Sequence, residues 1–428
     1  MTRDRTVAPR TVAPRTVAVA CQGGGSHTAF TAGVLGGLLT DPSLASARVV
    51  GISGTSGGAI CALLAWASLL DDDREGAATR LTDFWADNAA TTPFDRLLNS
   101  AMLAAGIAQG HGMLPSLSPY QSPAPNLGLD TFRAMLERHI DFERVAALTP
   151  DLTGQSPRLL LGAVEVNTGE FRAFNSHTET IVPEHALASA AIPNLFPAVE
   201  VDGGAYWDGL FSQNPPVRDL LATHPDELWV IQVNPRERDA TPTSLLDIAD
   251  RRNELSGNLS LYQELGFIET IDALLESGAL APDCGYRPIV VRVIEMPRGA
   301  LSGTWGPASK MNRDPAFLVG LVQAGRAQAA RFATTLTLEE AWKAGDADAV
   351  LGAFAPEAVT DDLAAFVRDR LGRDVSVDPV HKQLTGDTVT WAVRLRTDAG
   401  TVAGVVEIGF GADGRASSLT VCGVTARD

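Results

Sequence analysis

Arg48-Val-Val-Gly-Ile-Ser-Gly-Thr-Ser-Gly-Gly-Ala-Ile-Cys-Ala-Leu-Leu64 decides the fold. Its first six residues, Arg48 to Ser53, read as a short buried strand, and the apolar run from about Ala59 to Leu70 reads as a helix. Between them Gly54-Thr-Ser-Gly-Gly58 is a glycine-rich turn. The same order occurs once before. Thr16-Val-Ala-Val-Ala-Cys21 is a strand signal, Gln22-Gly-Gly-Gly25 a turn, and Phe30 to Leu39 a helix-compatible run. Strand, glycine turn and helix twice over is the pattern of a parallel α/β sheet.

Working outward, residues 71–155 read as mostly helical, interrupted by a Pro/Ser/Gly-rich stretch from Gly110 to Asn126. A loop of that length inside a compact domain is more often a lid or binding element than filler. Further strands are predicted at Arg158–Val166, Glu227–Val233 and Pro288–Ile294. A long helix from about Leu245 carries Leu261, Leu265, Ile268 and Leu275 on one stripe, which would face the sheet. The run Asp250-Arg-Arg-Asn-Glu254 would be its solvated or ion-paired face. Near the end the character changes. Helices at Leu338–Gly345, on to Phe354, and at Thr360–Leu371 precede strands from Val375 onward, with turn signals at Gly386-Asp387, Gly400 and Asp413-Gly414. That order predicts a separate α+β domain, with a boundary in Arg331–Thr337, hence domains at 16–333 and 334–428. Two copies of Thr-Val-Ala-Pro-Arg, at 6–10 and 11–15, read as a disordered tail at 1–15 and not as a secretory signal.

The 428 residues carry 34 Lys+Arg and 51 Asp+Glu, so the formal charge is 34 − 51 = −17. A surface so acidic repels phosphate backbones and excludes nucleic acid as an expected partner. It gives no general attraction to anionic lipid headgroups either, so membrane contact would be local and apolar. Cys21, Cys61, Cys284 and Cys422 lie far apart, with no metal-ligand spacing and no disulfide framework. No metal and no cofactor is expected. The most apolar stretch, Ala59–Leu70, is about half the ~20 residues needed to span a bilayer. A reducing, cytoplasmic location follows as the expectation, with peripheral membrane contact.

Gly54-Thr55-Ser56-Gly57-Gly58 fits G-x-S-x-G between a strand and a helix, the setting of a nucleophile elbow. Glycines permit a strained turn that exposes the Ser56 hydroxyl, and the helix start behind it offers N–H groups to an oxyanion. A plain glycine-rich helix start has the same spelling. Gly23-Gly24-Gly25, at the end of the preceding strand, suits an anion cradle. It is not a dinucleotide fingerprint, since Thr28 stands where a glycine is needed, and it lacks the Gly-Lys-Ser/Thr of a Walker loop. None of the seven histidines sits in a context that marks a catalytic base. His224 fits only the chain order Ser, Asp, His. Asp208, in Tyr206-Trp-Asp208-Gly209, opens a turn after a short strand and would serve as base in a dry site, although most Asp-Gly pairs are simple turns.

Taken together, these motifs resemble the patatin-like phospholipases. The resemblance rests on Gly23-Gly24-Gly25, Gly54-Thr55-Ser56-Gly57-Gly58, Ala188-Ser-Ala-Ala-Ile-Pro193-Asn-Leu-Phe-Pro197, and Asp208-Gly209 with Asn214-Pro215, in family order over about residues 16–330. It implies a three-layer α/β/α fold with a mostly parallel sheet. It also implies Ser56 as nucleophile, Asp208 as base, and the Gly23–Gly25 amides as oxyanion hole, with Gly54, Gly57 and Gly58 forming the elbow. The implied substrate is a lipid or other fatty-acyl ester, cleaved through an acyl-enzyme. An acyltransferase using the same dyad and a catalytically weak scaffold are the alternatives. Two departures stand out. His27 and Thr28 replace a common Arg/Lys-Gly pair, and Leu210 replaces the glycine expected after Asp208-Gly209. Asp202, in Asp202-Gly-Gly204, is the runner-up base. The region Leu81–Leu129 has two readings, a lipid-contacting cover or ordinary helix packing. The C-terminal segment more loosely resembles the NTF2-like (SnoaL-type) cone fold, through Ala341-Trp-Lys-Ala-Gly-Asp346, Phe354-Ala-Pro-Glu357 and the late strands. That resemblance implies a homodimerising or regulatory role.

Overall fold

Apolar runs bounded by glycine turns set the element order in a computed structural model of the chain, which describes residues 15–423 apart from 116–117, 122–123, 194, 282, 302–305, 371–374 and 398–399. Apart from Arg15, the repeat tail lies outside the described residues. β1 (Thr16–Cys21) leads to α1 (Ala29–Thr40), and β2 (Arg48–Thr55) to α2 (Gly57–Leu69). Then come α3 (Arg74–Asp87), α4 (Pro93–Gly110), α5 (Ala124–His139) and α6 (Phe142–Leu148). Asp73, Thr92 and Asp141 cap α3, α4 and α6, each accepting an N–H of the first turn. The chain continues through β3 (Arg158–Glu165), β4 (Phe171–Asn175), α7 (Pro183–Ala190), β5 (Val199–Val201), β6 (Gly204–Asp208), β7 (Glu227–Gln232), α8 (Leu245–Glu276) and β8 (Val290–Glu295). It ends with α9 (Pro315–Ala344), α10 (Ala347–Gly352), α11 (Asp361–Arg370), β9 (Val375–Thr385), β10 (Thr388–Thr397), β11 (Gly400–Phe410) and β12 (Ala416–Gly423).

The sheet order is β12-β11-β10-β9-β8-β7-β1-β2-β3-β6-β5, with β4 also on β3. The strands from β9 to β3 along this order run parallel, while β6, β5 and the β9–β12 meander are antiparallel. Helices cover both faces. Val17, Val19, Cys21, Trp229 and Ile231 enter one core with α1, α2 and α9. Ala18, Ala20, Leu228 and Val230 enter the other with Leu261, Leu265 and Ile268 of α8. Strands buried on both faces need no polar side, hence their continuous apolar spelling. The result is the expected three-layer α/β/α arrangement around a largely parallel sheet.

The C-terminal part differs in detail from its reading. α9 is one helix across the anticipated 333/334 boundary, and β9 extends the sheet by pairing with β8, Arg292 opposite Lys382. Buried charges sit at that seam. Arg292 binds Glu227 (2.8 Å) and Glu339 (2.7 Å), and Glu339 also meets Lys382 and Lys343. The first half of α9 starts at Pro315, capped by Asp314 whose Oδ1 accepts from the Phe317 N–H, and it packs against α1 so closely that a Cβ on Gly33 would lie 2.1 Å from the Val322 carbonyl oxygen.

The Leu81–Leu129 region divides. Leu81, Phe84, Trp85 and Leu103 are core residues. Phe94 (73% exposed), Leu97 (69%) and Met102 (49%) form an outward stripe on α4, and Leu127 (63%) is exposed on α5. Among the described residues no helix is long and apolar enough to cross a membrane.

Candidate active site

Ser56 stands at the carboxyl end of β2, where the chain turns into α2. It is buried, and its φ of 58° and ψ of −133° hold a non-glycine residue in the left-handed region. The glycines around it are required by closeness. A Cβ on Gly58 would lie 2.3 Å from the Cys21 carbonyl oxygen, and one on Gly54 2.4 Å from the Gly58 backbone. Two bonds from α7 brace the turn. The Ser56 N–H donates to the Ser189 carbonyl at 3.0 Å and lies 3.1 Å from Ser189 Oγ, which itself donates to the Gly162 carbonyl at 2.6 Å.

Asp208 arrives by register. Thr55 lies opposite Gly162 on β3, and the next residue, Ala163, lies opposite Asp208 on β6. The two strand ends thus flank β3, which brings the Ser56 hydroxyl close enough to the Asp208 carboxyl to oppose the rise in its pKa. Asp208 is fully buried, with Oδ1 accepting from the Leu210 N–H at 2.9 Å and Oδ2 without a partner of full hydrogen-bond geometry. Burial raises its pKa from 3.8 to about 7, against the opposing pull of the Ser56 hydroxyl and the Leu210 N–H. Its carboxylate is therefore a base of near-neutral strength in a dry position.

The glycine loop lies beside Ser56. A Cβ on Gly23 would stand 2.7 Å from Ser56 Cβ. The Gly23 N–H donates to Asn214 Oδ1 at 2.6 Å, and the Gly23 carbonyl accepts from Asn234 Nδ2 at 2.8 Å. Gln22 Oε1 accepts from the Val233 and Asn234 N–H groups, and Gln22 Nε2 donates to Asn258 Oδ1. On the other side, the hydroxyls of Ser53 and Thr55 donate to the carbonyls of Pro216 and Gln213. These bonds clamp the 213–216 segment between the loop and the elbow. Gly25, at φ +60°, faces the Lys310 carbonyl, which a Cβ there would approach to 2.2 Å. Asn234, Asn258, Ser309 and Lys310 carry no site signal in the sequence. Asn214 does, in the Asn214-Pro215 pair that follows Asp208-Gly209.

The two departures have definite places. His27 is buried with Nε2 2.8 Å from Ser309 Oγ, and burial, aided by the Lys310 charge, lowers it to about 3, so it is neutral. The Thr28 hydroxyl donates to the Gly25 carbonyl at 2.6 Å and occupies the space facing Gly57. The Asp250–Glu254 run is ion-paired: Lys310 meets Asp250 at 2.7 Å, and Arg238 meets Glu254 at 2.8 Å.

Other candidates lie elsewhere. Asp202 sits in the β5–β6 turn, half exposed, 3.0 Å from His185 Nε2. His224 is exposed and precedes β7, so it is at the amino ends of the parallel strands, away from Ser56. Glu179, His185 and Asp202 bring three potential metal-ligating atoms within 4.8 Å of one another. Their hydrogen bonds are already internal, with Glu179 taking Arg172 and the Asn175 N–H.

No curated protein matches the chain. A solved structure similar to it, VipD from Legionella pneumophila, is 12% identical over 83% of each chain, with a TM-score of 0.29, too low for the superposition to bear on function. Residues 19–221 match the family model described as patatin-like phospholipase. That match spans the part of the chain that holds the glycine loop, the elbow and Asp208, and it supports lipid acyl hydrolysis as a general activity.

Proposed function

We propose that the protein is a serine acyl hydrolase that cleaves fatty-acyl esters of lipids through Ser56 and Asp208. The observation that carries this reading is a strained serine that the strand register sets beside a fully buried carboxylate of near-neutral pKa. In the first step Asp208 takes the hydroxyl proton as Ser56 Oγ bonds to the ester carbonyl carbon. The tetrahedral oxyanion is held by the amides of Gly24 and Gly25, because the Gly23 N–H is engaged by Asn214. Asp208 then protonates the leaving alcohol. Water, deprotonated by the same carboxylate, then adds to the acyl carbon, and as the Ser56 Oγ–acyl bond breaks Asp208 returns the proton to Oγ and the acid is freed. The neutral His27 leaves this site without a cation of its own at that position.

The outward apolar stripe on α4 suits contact with a neutral or zwitterionic lipid surface, since a net charge of −17 disfavours an anionic one. In the same proposal the protein works in the cytoplasm, touching membranes or micelles transiently, and the 334–428 segment supports dimer formation. A fluorophosphonate probe tests the chemistry. Peptide mapping is expected to place the adduct on Ser56, and folded protein that takes no label would sink the proposal in favour of a scaffold role.

A further inference from the structure

On the α8 side of the sheet, behind the 212–217 segment, lies a cavity of about 690 Å³. One wall is α8 from Ser260 to Asp272, and the other is formed by residues 212–224 and 285–289. Its floor is apolar, with Val217, Leu221, Ile268 and Ile271. Two carboxylates of α8 face it, Glu264 and Asp272. Eight residues of helix separate them, which is about 12 Å along the axis.

Among the described residues, both carboxylates take their hydrogen bonds from backbone N–H groups. Glu264 Oε2 accepts from the N–H groups of Val217 (2.8 Å) and Arg218 (3.0 Å), and Asp272 accepts from the Ile289 N–H (3.3 Å). Among the described residues neither is in an ion pair. Burial pushes Glu264 up to about 7 and Asp272 up to about 6, so each charge is short of stabilisation. Arg218, Arg287 and His224 also border the cavity, but they are exposed, where solvent screens their charge.

We propose that this cavity binds a linear aliphatic diammonium ion of the polyamine type, one ammonium at Glu264, the other at Asp272, and the methylene chain along the apolar floor. The spacing selects length: a diamine that reaches only one carboxylate leaves the other without its counter-charge. The wall includes Ser212, Gln213 and Val217, in the segment whose Asn214 holds Gly23, so occupancy would stiffen the strap beside the catalytic centre. The inference stands apart from the acyl-hydrolase reading, because occupancy is measured without turnover.

The test is calorimetric titration of full-length Ser56→Ala protein at pH 8 with α,ω-diaminoalkanes of four to twelve carbons, plus octylamine and octanoate. An affinity optimum near the eight-carbon diamine is expected, at least tenfold tighter than octylamine. Glu264→Gln and Asp272→Asn should each remove most of that advantage. Ala222→Trp, at the exposed rim, should block binding with both carboxylates intact, which keeps the test open if either carboxylate variant fails to fold. Binding with no length optimum, or unchanged in all three variants, would mean adsorption to the acidic surface and overturn the proposal. Octanoate binding as tightly as the diamine would overturn it too, in favour of an anion at Arg218 and Arg287.

Discussion

Ser56 and Ser189 are joined twice. The Ser56 N–H lies within hydrogen-bond distance of both the carbonyl oxygen and the hydroxyl of Ser189. The backbone that presents Ser56 is thus held by a helix 133 residues further along the chain. Its left-handed conformation is maintained by these bonds and by the surrounding glycines, and not by Ser56's own preference.

Ser189→Ala tests that brace. The hydroxyl bridges the elbow and the Gly162 carbonyl and is fully buried. Its loss should cost about 1–2 kcal/mol in denaturant unfolding. It should lower kcat on a p-nitrophenyl ester about tenfold or more, as a slightly misplaced nucleophile reacts more slowly. Unchanged kcat would show that the carbonyl bond suffices.

Asp208 gives a pH dependence of definite sign. In its proposed role of base it works unprotonated, so kcat/KM should rise with pH through about 7 and level off above. Asp208→Asn should lower the rate by about 100-fold to 10,000-fold and remove the rise. Because the folded pKa is raised above 3.8, the native state binds the proton more tightly than the unfolded chain. This group's contribution to stability therefore falls between about pH 4 and pH 7. Asp208→Asn should be no less stable than the parent at pH 8, by thermal unfolding.

Asn214→Ala frees the Gly23 N–H and leaves it buried beside Ser56. With the loop released, fluorophosphonate labelling of Ser56 should slow markedly while far-UV circular dichroism is unchanged. Labelling at the parent rate would remove Asn214 from the positioning of the loop.

Glu339 lies between Arg292 and Lys382. Burial alone would raise it, but these cations hold its carboxyl at about 2, below the ordinary 4.5. Its stabilisation is complete above about pH 5 and is lost as pH falls through about 2. Glu339→Gln leaves two buried cations short of a counter-charge and should cost about 3–5 kcal/mol at pH 7. The difference between variant and parent should shrink in acid.

Much of this was readable beforehand because its causes are local. The paired strand–glycine–helix units declare themselves in apolar runs and turns, and Ser56 by its glycines. Asp208 needed more. Its Asp-Gly spelling is that of a plain turn, and only the β3–β6 register brings it beside Ser56. Ser189 is one serine in an alanine-rich helix, so its bracing role depends on where α7 packs. The parallel β8–β9 pairing joins strands separated by three helices, and no local pattern could announce it.

That seam also bears on how the chain is made. Glu339 is synthesised after Arg292, and Lys382 later still, yet all three charges end up buried together. Until β9 has been synthesised, the nascent sheet lacks both that edge and a cation that Glu339 requires. Folding of the seam therefore waits for β9, and a stop codon ahead of it would leave a sheet with an open, unneutralised edge, a substrate for chaperones and proteases.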